Sequence, residues 1–125
     1  MEREIKFRGK RADNGEWVQG YFVEDGIYFI WSHDEDDFIT RHSVDPDTLG
    51  QFTGLTDCNG KEIYEGDIVR FYDEIEECYE ESPIKYDDEY CSFVIENSSG
   101  DPMTLSRHAF YTVCGNIHDN QPTEV

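Results

Sequence analysis

GQFTGLTDCNGKEIYEGDIVRF, residues Gly50 to Phe71, decides how the chain is read. Asn59-Gly60 supplies two residues that tolerate positive φ, as a two-residue hairpin needs if its twist is to match the flanking strands. Glu65-Gly66-Asp67 is a second turn. There Gly66 accepts a backbone angle that side chains resist, and Asp67 can bond back to nearby amides. Ile68, Val69, Phe71 and Tyr72, interrupted by Arg70, then give the β-branched and aromatic run of a strand leaving that turn.

Upstream, Glu4 to Arg8 alternates charge with Ile5 and Phe7, a half-buried strand with Ile5 and Phe7 inward and its basic residues in solvent. Asp13-Asn14-Gly15 turns it into the partner strand Glu16 to Val23, where Gly20 marks a bulge or a close backbone approach. Asp25-Gly26 is the next turn, opening Ile27 to Trp31. That run is continuously apolar and reads as buried on both faces. Ser32 to Asp37 is an acidic hairpin tip: its carboxylates lack the alternation, turn glycine and distal Glu of a calcium loop. Phe38 to Val44 resumes strand composition, and Asp45-Pro46-Asp47 starts a turn at the seam between an N-terminal sheet and the C-terminal part.

Downstream, Asp73 to Tyr90 carries nine carboxylates against Lys85 alone. Ile75, Cys78 and Tyr79 fall at helical spacing, so a short solvated helix and a mobile loop both fit residues 73–82. Ile84 to Tyr86 and Tyr90 to Ile95 form a hairpin, Asn97 to Pro102 a polar turn, and Met103 to Phe110 a short strand or helical turn. Tyr111 to Cys114 closes the fold, with Gly115-Asn116 as its stop. The chain thus reads as all-β, mainly antiparallel, with little helix. One compact unit of 125 residues is expected. It would hold an N-terminal β-meander (1–47) packed with a C-terminal SH3-like barrel (48–120), and a frayed tail at 121–125.

Aromatic residues make up 14% of the chain, so burial must rely on Tyr, Phe and Trp. The net charge of −19 repels phosphate backbones and anionic membranes and favours a basic partner, so no direct nucleic-acid or membrane binding is expected. Basic residues cluster at Arg3, Lys6, Arg8, Lys10 and Arg11. They read first as the solvated face of the first strand, and otherwise as a small phosphate-binding strip or, more physically, one half of an intersubunit charge match to the acidic segments. No secretory leader or apolar span is read, which implies a cytoplasmic protein with reduced thiols. Cys58, Cys78, Cys91 and Cys114 form no CxxC pair, and their spacing with His33, His42, His108 and His118 defines no metal site. Neither cofactor nor metal is expected. Arg107-His108 is the one basic duo in the barrel region and reads as an ordinary strand or turn face. With no nucleophile-base, zinc-protease, P-loop or dinucleotide motif, the chain is read as non-enzymatic.

The run TGLTDCNGKEIYEGDIV resembles the signature of the YopX family of phage and prophage proteins. Arg3 to Lys10, with Gly15 to Val18 and Gly20-Tyr21, resembles the family's opening, and Gly115 to Asn120 its close. Cys58 stands where a Lys is more usual, and residues 31–45 and 73–82 match nothing in the pattern. The resemblance implies a small β-rich protein of a mobile element, in a host bacterial cell, with no biochemical role attached. A binding or assembly module that self-associates is the leading expectation, with Trp17 and Tyr21 as candidate interface residues. Phe29 and Trp31 are read as core. The alternative is an acidic, DNA-mimic-like decoy for a basic host protein, with Glu76, Glu77, Glu80 and Glu81 as its surface.

Overall fold

The computed structural model describes residues 5–24, 28–33, 38–106 and 110–119. The expected Asp25-Gly26 turn, the acidic tip at 34–37, Arg107-His108 and the tail lie outside them, as do the side chains of Phe29 and His33. The chain is all-β and antiparallel among the described residues, with one 3-10 turn at Pro46–Thr48. It forms two compact units, residues 1–54 and 55–125.

The first unit holds β1 (Phe7–Lys10), β2 (Trp17–Glu24), β3 (Tyr28–His33), β4 (Ile39–Ser43) and most of β5 (Gly50–Thr56), in the sheet order β4-β3-β2-β1-β5. The sheet curls: Val44 bridges to Arg11, and Ser43 O accepts from Ala12 N at 2.9 Å. Phe7 and Phe22 pack ring to ring on one face, where Ile30 is fully buried. Gly20 is required by proximity, because a Cβ there would lie 1.9 Å from the Trp31 carbonyl oxygen.

The opposite face departs from expectation. Arg8 is buried there with its guanidinium 4.5 Å from the Trp17 ring, whereas Ile5, on the Phe7 side by alternation, is exposed. Lys10 lies over the same ring and Lys6 over Phe52. The aromatic rings share this face with the cations, so the long basic side chains lie along them as cation–π partners. Burial on both faces of the Ile27 to Trp31 run also fails at Trp31, which is 37% exposed.

The second unit contains β6 (Glu62–Tyr64), a neighbour of the end of β5, and two three-stranded sheets. One has the order β12-β7-β8, from β12 (Thr112–Asn116), β7 (Asp67–Asp73) and β8 (Cys78–Pro83). The other has the order β11-β10-β9, from β11 (Pro102–Thr104), β10 (Ser92–Glu96) and β9 (Lys85–Asp87). The described strands do not close into the expected SH3-like barrel. Residues 73–83 form neither helix nor mobile loop: Phe71↔Glu80, Tyr72↔Tyr79 and Asp73↔Cys78 pair as a hairpin. The cross-strand contacts account for this, since Tyr72 meets Tyr79 edge-on at 5.1 Å and Arg70 lies 4.8 Å over Tyr79.

Alternation along β7 buries Val69 and Phe71 and leaves Arg70 and Tyr72 exposed. The buried pair joins Ile63, Ile84, Phe93, Ile95 and Tyr111 in this unit's core. Two side chains of β8 tie the sheets together: Glu96 N donates to Ser82 Oγ at 2.9 Å, and Ser98 N donates to Glu80. Between β8 and β9, Ile84 N donates to Asp67 O and Ile84 O accepts from Gly66 N, both at 2.8 Å.

Seven turns share one device. The side-chain oxygens of Asn14, Asp45, Asp57, Asp73, Asp87, Asn97 and Asn116 each accept from the amide two residues on, at 2.8–3.0 Å. Part of the acidic excess therefore serves turns.

Candidate binding surfaces

The Asn59-Gly60 corner is a three-residue loop, not the expected two-residue turn. Asp57 N donates to Lys61 O across it, and Gly60 alone takes positive φ, +82°. Its organiser is Asp57, which the motif reading passed over. Oδ1 accepts from Asn59 N (2.8 Å) and Lys61 N (2.9 Å), and Oδ2 from Val113 N on β12 (3.0 Å). Burial pushes this carboxyl upward, but the amides of Val113, Lys61 and Asn59 and the Lys61 charge outweigh it, holding the pKa below the usual value. At the next turn Gly66 has φ +94°, and Asp67, almost fully buried, accepts from Tyr64 N at 2.8 Å. Gly115 lies beside a bulge in β12, and Asn116 Oδ1 accepts from the amides of His118 and Asp119. These residues hold the scaffold.

Of the expected interface pair, Trp17 is half-buried beneath Arg8 and Lys10, whereas Tyr21 is 64% exposed. The register places Tyr21 opposite Trp31 and Trp31 opposite Arg41. Directly opposed residues share a face, and so do residues two apart, so Ile39 joins them. Tyr21, Trp31 and Ile39 thus form an exposed apolar patch beside β4, the outermost strand.

The four expected decoy carboxylates do not make one surface. Glu76 and Glu77 sit at the hairpin tip, and Glu80 and Glu81 point to opposite faces of β8, with Glu80 engaged by Ser98 N. Cys78, beside them, is pushed up by partial burial and then by the Glu80 carboxylate, and Cys114 by burial and then Glu81. Neither is poised as a thiolate.

The second unit has a half-open groove of about 480 Å³. Phe71, Ile95, Met103 and Tyr111 line its depth, and Glu74, Thr104 and the 82% exposed Phe110 line its rim. Tyr111 OH accepts from Ser106 N at 3.0 Å, and burial raises its pKa against that bond. Sequence reasoning missed the groove because its lining comes from segments far apart in the chain, around Phe71, Ile95, Met103 and Phe110. Among the described residues no group of three or more His, Cys, Asp or Glu could hold a metal ion, and no helix is long and apolar enough to cross a membrane.

Fold and surfaces together define a small antiparallel β protein with exposed apolar patches on a strongly acidic chain. Residues 6–122 match the model of the YopX protein family, and the chain belongs to that family. None of the curated proteins matches it.

Proposed function

We propose that the protein is a non-enzymatic assembly module that self-associates through the outer face of its N-terminal sheet. One observation carries the reading: Tyr21, Trp31 and Ile39, neighbours across three adjacent strands, are 64%, 37% and 55% exposed on one face. Apolar side chains grouped at an outermost strand are a liability that a second copy relieves, and a two-fold contact needs only one self-complementary patch. In this reading the module works as a phage or prophage product in the cytoplasm of a bacterial host. The alternative decoy gains less support, because Glu80 and Glu81 point to opposite faces of β8 and Glu80 is engaged by Ser98 N.

Light scattering on purified protein over a concentration series tests this. The wild type should exceed monomer mass and hold that mass in high salt, since apolar contacts are not screened. Tyr21→Ser combined with Ile39→Ser should give a folded monomer. A monomeric wild type at high concentration, or an unchanged mass in the double variant, refutes the reading.

A further inference from the structure

We propose that the groove of the second unit binds an extended, cationic peptide segment of another protein, with one apolar side chain as anchor and Lys or Arg beside it. The groove's chemistry selects such a ligand. Its depth is apolar, at Phe71, Ile95, Met103 and Tyr111, and its volume of about 480 Å³ admits one large side chain with its flanking backbone. Phe110 is 82% exposed at the mouth. The unit that holds the groove is strongly acidic. Residues 55–125 contain seventeen Asp and Glu against four Lys and Arg, a formal net of −13. None of the described lining residues is basic, and Glu74 stands exposed on the rim. Two of the four cations are engaged elsewhere, Lys85 with Glu96 at 2.8 Å and Arg70 over Tyr79.

Backbone geometry favours an extended ligand. β11 is an outer strand, and Leu105 N donates to Phe93 O. Antiparallel alternation then turns the main chain of Thr104, a rim residue, away from β10. An entering strand can pair there while its anchor fills the groove, the mode in which main-chain bonds give affinity and a pocket gives specificity. Unlike a phosphate mimic, such a site discriminates by the anchor as well as by charge.

The test uses the full chain and fluorescence anisotropy with a short fluorescein-labelled peptide carrying a central Leu among Lys and Arg. Control peptides replace the Leu by Gly or the basic residues by Glu. The basic Leu peptide should bind, weaken with added salt, and lose about tenfold in affinity without its anchor. Phe110→Ser and Glu74→Lys, both at exposed positions, should each weaken it severalfold, while Tyr21→Ser, on the self-association patch, should leave it unchanged. No binding at low salt overturns the proposal. So does equal binding of the Gly peptide, or unchanged affinity in both rim variants, since either means diffuse charge attraction alone. None of these results bears on the oligomer mass, so the two proposals stand or fall separately.

Discussion

Replacing Asp57 by Ala should be among the costliest single polar substitutions in the chain. The carboxylate receives three main-chain amides, two inside its own loop and one, Val113 N, from β12. A hydrogen bond to a charged acceptor contributes about 1.5–3 kcal/mol net; water can replace the carboxylate at the exposed Asn59 and Lys61 amides but less well at the half-buried Val113 amide, so the cost is about 2–4 kcal/mol. For a chain of this size that corresponds to a fall in Tm of roughly 8–16 °C. Asp57→Asn adds a sharper test because it removes the charge and keeps the shape. The pKa of Asp57 is held below its unfolded value, so its contribution is fully present above the unfolded pKa, about 3.9, and is lost as pH falls through the folded one. The wild-type advantage over Asp57→Asn should therefore be full near neutrality and shrink below about pH 4. Urea unfolding followed by far-UV circular dichroism measures both, and hydrogen exchange at Val113 localises the loss. A cost of Asp57→Ala under about 0.5 kcal/mol, or a constant gap between Asp57→Asn and wild type down to strong acid, would refute the reasoning.

Other substitutions probe the rest of the scaffold. Gly20→Ala places a methyl group 1.9 Å from the Trp31 carbonyl oxygen and must push β2 from β3, costing about 3 kcal/mol or more in a denaturation series. Ser82→Ala removes the acceptor of Glu96 N from a buried site and should cost about 1–3 kcal/mol, with faster exchange at that amide. In native protein at neutral pH, a thiol reagent should label Cys78 and Cys114 more slowly than a model thiol, because both are pushed toward the protonated form. Unfolding in urea should bring both toward the model-thiol rate, since the folded surroundings that raise their pKa values are then lost.

What the sequence reveals about this fold depends on the range over which the deciding physics acts. β7 is legible because its alternation and the glycine before it are local, and the structure buries Val69 and Phe71 while exposing Arg70. Gly20 is legible as a close approach, although its partner carbonyl is not. The segment 73–83 is misread because Ile75, Cys78 and Tyr79 have helical spacing, while the decisive contacts come from Tyr72 and Arg70 on another strand. Ile75 itself is 84% exposed at the hairpin tip. Trp31 is misread for a related reason: an unbroken apolar run does not say that Trp31 will stay partly exposed while Ile30 is buried. Asp57 is hidden by its neighbours, since Asn59-Gly60 carries the familiar turn signal while the third amide on its carboxylate comes from Val113.

The passage from one small sheet to the other takes place at Ile84, whose amide and carbonyl are both held by the Gly66-Asp67 corner. That makes residues 82–86 a fixed-length splice. One residue added there would rotate β9 by half a pleat, exchanging what it shows to water for what it hides, and would detach Ile84 from its double grip. Loops at 74–77 and 88–91 have no such arithmetic to keep. Peptide tags or epitopes inserted at those tips should be accepted, whereas the same insertion beside Ile84 should yield a chain that cannot settle its second half.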